Sequence, residues 1–307
     1  MTETDGWFAG EADDEATLRE RVREGSASEP EAWPKLAVEA VFAADEAAYY
    51  DRLHDVALAA TRAAVEEREG TDARQLVHAV RAMDDCRRTA NELVERFGEW
   101  AGTVDPDAEI DVEYARAFGD RELGRDGSAL AELAATVVAV ADEAEALSEY
   151  VERQAPSVAP NLSALAGPVL AARLISLAGG LEPLAKKPSG TVQVLGAEDA
   201  LFAHLRGHAP SPKHGIIYTH EAVRGTRPAD RGSAARAVAG KLSIAARIDH
   251  YSGDHRPDLE TELEERIATI QARAGSDGGG GDDSGDGDHG SKGGDEALGS
   301  EGGVDDE

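Results

Sequence analysis

Apolar residues recur every three or four positions along two long stretches of the chain, the spacing of an α-helix with one buried face. In residues 71–101 the recurring positions are Leu76, Val80, Met83, Ala90, Val94 and Phe97. In residues 128–154 they form a regular heptad of Leu130, Leu133, Val137, Val140, Ala144, Leu147 and Val151. Residues 102–127 between them are rich in Gly, Pro and Asp, which is typical of a turn or a helix tip. The pattern therefore predicts two helices joined as an antiparallel hairpin.

The heptad leaves the role of this hairpin open. A coiled-coil dimerisation arm would use one contact face, made of Leu130, Leu133, Val137, Val140 and Leu147. An ordinary helix pair inside a bundle would bury the same positions within one chain. The spacing is typical of both arrangements, and the dimerisation arm is the working prediction.

Helical patterns also cover most of the remaining chain, so the predicted fold class is all-α. Residues 35–68 have the spacing of one helix, and residues 156–253 contain helical runs separated by Gly and Pro. The last residues are mostly Gly, Asp, Ser and Glu, a composition that predicts disorder. The predicted regions are a short N-terminal region (1–70), the coiled-coil arm (71–155), a compact domain (156–274) and a disordered acidic tail (275–307).

Charge is distributed unevenly along the chain. Sixty-one Asp and Glu outnumber 31 Lys and Arg, the net charge is −30, and only six of the basic residues are lysine. This balance is typical of adaptation to molar internal salt, as in halophilic archaea; an acidic interaction protein is the alternative. Between residues 157 and 253, however, eleven Lys or Arg accompany six Asp or Glu. Because six acids cannot neutralise eleven bases, this region predicts an anionic partner, most simply a nucleic acid.

The sequence offers no pattern that indicates an enzyme or a cofactor site. The one cysteine, Cys86, excludes an intrachain disulfide and a Cys-based zinc site. His204 and His208 have the spacing of a metal pair, but no neighbouring acid or cysteine completes an evident site. The sequence contains no phosphate-binding loop and no recognisable catalytic triad. Since the first residues lack the features of a secretory signal and the apolar stretch 162–181 is interrupted by Pro and Arg, we expect a cytoplasmic protein without a membrane span.

Several sequence blocks carry a family resemblance. In chain order they are residues 160–165, 171–180, 191–202, 212–218 and 236–249. Together they resemble the Nop family, the core scaffold proteins of box C/D small RNPs, in a haloarchaeal version. Residues 71–155 also resemble the coiled-coil arm of that family. Two positions depart from its signature, because Asp199 stands where the family typically has Lys and Ala203 where it has Arg.

The resemblance implies a non-catalytic RNP scaffold that forms a homodimer and binds no cofactor itself. Nop proteins recognise a box C/D guide RNA together with a ribosomal-type protein already bound at its kink-turn. They also position the methyltransferase fibrillarin, which methylates ribose 2′-OH groups of rRNA and tRNA. In the family, an N-terminal α/β domain docks fibrillarin. Residues 1–70 show no convincing run of strands, so we expect a helical remnant of that docking region.

Eight residues are candidates for contacting the RNA–protein complex. They are Gln193, Glu198, Lys213, His214, Arg231, Arg236, Lys241 and Arg247. The ring of His214 can stack on an unpaired base, and the cations can meet phosphates. Glu198 has two further interpretations, as a helix cap or as an orienting partner for a basic neighbour. For Arg247 with Asp249 a structural ion pair is the alternative, and for Arg173, inside an apolar helix, a structural role is favoured.

Three other functional classes stay open at this point. The first is an assembly factor of a splicing-type RNP, built on the same domain. The second is a protein-only coiled-coil scaffold. The third is an enzyme with an unrecognised site. RNA that copurifies with the protein would distinguish the RNP scaffolds from the others.

Overall fold

The computed structural model describes residues 6–9, 14–27, 29–118 and 125–276, and in these ranges the fold is all-α, as predicted. The helices are α1 Glu15–Glu24, α2 Trp33–Glu39, α3 Glu46–Glu69, α4 Asp72–Ala101, α5 Val112–Phe118, α6 Arg125–Val158, α7 Pro160–Ala166, α8 Pro168–Ala178, α9 Leu181–Lys186, α10 Ser189–Val194, α11 Glu198–Leu205, α12 Glu221–Arg224, α13 Arg231–Tyr251 and α14 Asp258–Ser276. A 3₁₀ turn, Ile216–Thr219, precedes α12.

In the N-terminal region, α2 and α3 pack around an aromatic cluster. Phe8 and Tyr49 are buried, and the rings of Trp7, Trp33 and Phe42 surround them. The indole Nε1 of Trp7 donates a hydrogen bond to the hydroxyl of Tyr49 over 3.2 Å, which satisfies both polar groups within an apolar cluster.

The single helix predicted over residues 35–68 is wrong, because the structure divides it into α2 and α3. The helix α2 ends at Glu39, and Val41 has a φ of 60°. A new helix then begins after Asp45, whose carboxylate accepts a hydrogen bond from the backbone N–H of Ala48 over 2.8 Å. The apolar spacing continues across this break, but the N-cap at Asp45 starts a second helix.

The long helices α4 and α6 form the hairpin that the heptad predicts. They run antiparallel, since Phe97 near the end of α4 packs with Leu130 near the start of α6. The heptad positions fall into two sets. Leu130, Val137, Ala144 and Val151 are buried within the chain, whereas Leu133, Val140 and Leu147 are half-buried. Part of the predicted tip, residues 119–124, lies outside the described residues.

The helices α7 to α14 form the C-terminal domain, around an aliphatic core. The central helix is α13, which buries Ala235, Val238, Leu242 and Ala246 among other residues. The helix α14 covers it through a stripe at helical spacing, Leu259, Leu263, Ile267 and Ile270. The predicted acidic tail was expected to begin at residue 275, but α14 extends to Ser276; the rest of the tail lies outside the described residues.

Two arginines connect the hairpin to the C-terminal domain. Arg173 on α8 donates to the carboxylate of Asp84 on α4, with its Nε 3.0 Å from Oδ2. Arg81 on α4 donates from Nε to the hydroxyl of Ser176 on α8 over 2.9 Å. The ion pair of Arg173 with Asp84 gives this arginine the structural role that the sequence favoured.

No single helix of the described residues is long and apolar enough to span a membrane. The helices α7 and α8 pass that test only as a pair, and they are bent by 117° relative to each other.

Candidate nucleic-acid interface

The candidate interface is built where the loop after α11 returns to the end of α10. The backbone N–H of Gly215 donates to the carbonyl of Gln193 over 2.9 Å, and that of Ile216 to the carbonyl of Leu195 over 2.7 Å. A Cβ on residue 215 would lie 1.9 Å from the Leu195 carbonyl oxygen. Only glycine permits this close approach, which fixes the position of the preceding residues, Lys213 and His214.

Lys213 and His214 lie beside residues from the 3₁₀ turn and from α13. The ring of His214 stacks on that of Tyr218, with centroids 4.7 Å apart and an interplanar angle of 24°. The guanidinium of Arg231 lies over the Tyr218 ring at 5.4 Å, and Arg231 Nε donates to the Thr226 carbonyl over 3.0 Å. Lys213 is exposed, and its alkyl chain passes close to Gly232 at the start of α13. One surface thus combines two cations with two stacked rings.

The electrostatics of this surface favour a neutral imidazole. Burial lowers the pKa of His214, and the positive charges of Arg231 and Lys213 lower it further. At neutral pH the ring is therefore uncharged and flat, which suits stacking on a base, while the charge resides on Lys213 and Arg231.

Gln193 and Glu198 are placed differently from the basic candidates. The amide Nε2 of Gln193 donates to the carbonyl of Lys213 over 2.7 Å, so this side chain supports the loop. Glu198 accepts a hydrogen bond from the backbone N–H of Gly196 over 2.9 Å, a local contact at the start of α11. The start of α11 has no side-chain cap hydrogen bond, so the interpretation of Glu198 as a helix cap is wrong; its contact with Gly196 lies before the cap residue, Ala197.

Arg236 and Lys241 lie on a different face, in the groove between α13 and α14. Arg236 is exposed there. Lys241 forms an ion pair with Glu262 of α14. The sequence alone does not predict this pair. The structure therefore groups Lys213, His214 and Arg231 together, but it does not bring Arg236 and Lys241 into that cluster.

Arg247 lies near the far end of α13 and contacts backbone rather than Asp249. It donates from Nε to the Ala185 carbonyl over 3.1 Å and from Nη2 to the Lys187 carbonyl over 3.3 Å. Asp249 accepts hydrogen bonds from the backbone of Asn161 and Leu162. Each member of the suggested ion pair thus has a different partner.

Sequence reasoning named the block around Tyr218 but did not select Tyr218 itself. Its spacing of four residues from His214 was the available signal, because a turn brings such positions together. Phe202 and Leu205 on α11 were also missed. They are 55% and 71% exposed, and α11 buries none of its residues within the described chain. Exposed large apolar side chains of this kind mark a candidate contact surface.

The fold and this surface define a class, an all-helical protein whose C-terminal domain carries a basic and aromatic face. A sequence profile of the Nop family, described as "snoRNA binding domain, fibrillarin", matches residues 108–270. The chain belongs to the Nop family, which confirms the resemblance seen in the sequence. Its haloarchaeal character stays a prediction.

Curated relatives agree with this assignment. An uncharacterized NOP5 family protein of Methanocaldococcus jannaschii is 37% identical over an alignment of 237 positions, which covers 64% of this chain and 57% of that protein. Nucleolar protein 58 of Homo sapiens is 33% identical over 240 residues, covering 64% of this chain and 45% of that protein. The chain thus spans about half the length of these relatives. A solved structure, titled as a crystal structure of a fibrillarin/Nop5p complex, has a TM-score of 0.49 and 25% identity, covering 82% of this chain and 91% of that chain.

Proposed function

We propose that this protein is a non-catalytic scaffold of a box C/D guide RNP. In this proposal residues 156–274 bind a kink-turn RNA together with its ribosomal-type protein, and residues 71–155 form the dimerisation arm. Residues 1–70 contact fibrillarin, which carries out the 2′-O-methylation of rRNA or tRNA. The membership of the Nop family supports the assignment. The single observation that carries it is the cluster of Lys213, His214, Tyr218 and Arg231 within the matched region.

The cluster suits an RNA–protein complex better than free duplex RNA. A neutral ring can stack on a splayed base, and Lys213 and Arg231 can contact phosphates. On α11 of the same domain, the exposed side chains of Phe202 and Leu205 suit a protein surface rather than RNA. The departures Asp199 and Ala203 remove two positive charges from this region. At about 1 M salt the Debye length is about 3 Å, so distant charges contribute little and close contacts dominate.

The test is binding to a preformed complex of kink-turn RNA and its ribosomal-type protein, measured by calorimetry at about 1 M KCl, where screening is strong. His214→Ala is expected to weaken binding by about 1–3 kcal/mol, the scale of one base-stacking contact. The matched control is His54→Ala, because His54 is an exposed histidine on α3, remote in sequence from the cluster. If both variants bind like the parent chain, the RNP-binding face lies elsewhere on the domain.

The same assay separates the two basic surfaces. Arg236→Ala is expected to weaken binding only if the RNA extends over the groove between α13 and α14. Because Lys241 is already paired with Glu262, its replacement by Gln is expected to have less effect than Lys213→Gln. A larger effect of Lys241→Gln would move the proposed face to that groove.

Two alternatives are distinguished by the RNA that copurifies with the tagged protein. Box C/D guide RNAs are expected from the proposed function, whereas a spliceosomal-type RNA would indicate an RNP of the splicing class. A preparation free of RNA would favour a protein-only scaffold. Fibrillarin binding is tested separately, by asking whether purified fibrillarin is retained by the immobilised chain.

A further inference from the structure

A second basic and aromatic surface lies at the opposite end of α13 from the His214 cluster. Arg231 begins this helix and Tyr251 ends it. Twenty residues of α-helix rise by about 30 Å, so the two surfaces are separated by about that distance. The second surface, here called the α9–α13 surface, consists of Lys186, Lys187, Arg247, His250 and Tyr251. The proposed kink-turn face, formed by Lys213, His214, Tyr218 and Arg231, uses none of these residues, although the sequence pattern also makes Arg247 a candidate for RNA contact.

The geometry of the α9–α13 surface is fixed by backbone contacts. Arg247 ties α13 to the end of α9 through the carbonyls of Ala185 and Lys187. The rings of His250 and Tyr251 meet edge to face, with centroids 4.5 Å apart. Tyr251 is 66% exposed, which is unusual for a large aromatic side chain at the end of a well-packed helix. The surface therefore presents an open aromatic ring beside cations held at defined positions.

Local acids pair with one of these cations, Lys186, and leave the other two, Lys187 and Arg247, without an ion pair among the described residues. Glu182 pairs with Lys186 over 2.5 Å, and Asp249 is occupied by the start of α7. Among the described residues, neither Lys187 nor Arg247 forms an ion pair with a carboxylate. Uncompensated positive charge is notable in a chain with a net charge of −30.

We propose that the α9–α13 surface binds single-stranded RNA, with an unpaired base stacked on Tyr251 and the adjacent phosphates held by Lys187 and Arg247. Stacking on an exposed aromatic ring together with cations that follow the backbone is how proteins hold unpaired strands. An acidic protein partner would also meet the cations, but it would give no comparable role to the open ring. This proposal does not depend on the kink-turn face. If both surfaces bind RNA, one RNA contacts the domain at two points about 30 Å apart along α13.

The test uses the full chain and a fluorescent single-stranded oligouridine RNA, at a salt concentration in which circular dichroism shows the parent chain to be folded. The double variant Lys187→Gln/Tyr251→Ala is expected to bind about tenfold more weakly, as expected for loss of a stacked base. Arg247 is left unchanged because it holds α9. The matched control is Lys35→Gln/Tyr50→Ala, which makes the same chemical changes at an exposed lysine and a 53% exposed tyrosine in the N-terminal region.

Photo-crosslinking with 4-thiouridine in the same RNA gives a second readout. A crosslink to the peptide that contains Tyr251 is expected in the parent chain and in the control variant. Equal affinities for the two double variants, or a crosslink map without that peptide, would overturn the proposal. His214→Ala separates the two sites, because it is expected to weaken binding to the kink-turn complex in calorimetry while the crosslink of the oligouridine RNA to the Tyr251 peptide persists.

Discussion

The hairpin and the C-terminal domain are both helical, but they are stabilised in different ways. The hairpin contains two long helices, α4 of 30 residues and α6 of 34, which share an apolar seam. In the C-terminal domain α7, α9 and α10 have only six or seven residues. Helices so short are not stable by themselves in water, so tertiary contacts must define where they begin and end.

In the C-terminal domain, hydrogen bonds between side chains and distant backbone groups define where such a short helix begins. At the start of α7, Asp249 accepts hydrogen bonds from the backbone N–H groups of Asn161 and Leu162, over 3.0 and 2.8 Å. The side chain of Asn161 in turn accepts from the backbone N–H of Arg256 over 2.6 Å. Because the residue before α7 is Ala159, which cannot cap a helix, Asp249 supplies the missing acceptor from 88 positions away. The apolar seam of the hairpin is made of many contacts, so a small change at one position leaves the others in place. A helix start that depends on one side chain has no such reserve.

The largest effect is expected where the C-terminal domain depends on one close approach. In Gly215→Ala the new Cβ would lie 1.9 Å from the Leu195 carbonyl oxygen, so the backbone must move. We expect a loss of roughly 3 kcal/mol in the free energy of unfolding, measured with urea. The control is Gly190→Ala within α10, where a Cβ would meet nothing within 4 Å; it is expected to be neutral or slightly stabilising. Similar stabilities for the two variants would contradict the contrast drawn between the regions.

This contrast also explains what the sequence could predict. The heptad predicted α6 and the existence of the hairpin, because the buried face of a long helix is visible in the spacing of its own apolar residues. The Asn161–Asp249 contact could not be predicted in this way, since nothing in the local sequence relates positions 88 apart. For the site, Lys213 and His214 were found from their type and loop, whereas Tyr218 and the pairing of Lys241 with Glu262 depend on how elements pack.

An intermediate effect is expected in the hairpin, and it distinguishes the two sets of heptad positions. Val137 is fully buried within the chain, so Val137→Ala is expected to cost about 2 kcal/mol in the free energy of unfolding. Val140 is half-buried, and Val140→Ala is expected to cost about half as much or less in the isolated chain. Urea unfolding at low protein concentration measures both.

The predicted dimer adds a second consequence for the half-buried set. If Leu133, Val140 and Leu147 form the contact between two copies, Val140→Asp places a charge at that contact and is expected to shift the protein towards monomer in light scattering. A parent chain that is already monomeric would remove the dimer prediction. The intrachain stability difference between Val137 and Val140 would be unaffected by that result.

The smallest expected effect is electrostatic and lies in the candidate interface itself. Burial, and then the charges of Arg231 and Lys213, lower the pKa of His214 below the ordinary value of 6.5. Arg231→Gln is therefore expected to raise this pKa, though not to its ordinary value, because the burial remains; NMR titration of the ring measures it. Arg236→Gln, on the other face, is the control and is expected to leave it unchanged.

The sign of the effect on stability follows from the same shift. Between the lowered pKa and 6.5 the unfolded chain binds a proton at His214 that the folded chain does not. The stabilising contribution is thus fully present above pH 6.5 and is lost as the pH falls through the lowered pKa of the folded chain. Because many carboxylates titrate as the pH falls, the informative quantity is the difference in the free energy of unfolding between the parent chain and His214→Phe, measured at neutral and at mildly acidic pH. A stability difference that does not shrink as the pH falls would mean that folding does not lower the pKa of His214, which would contradict the desolvation and the repulsion by Arg231 and Lys213 described for this ring.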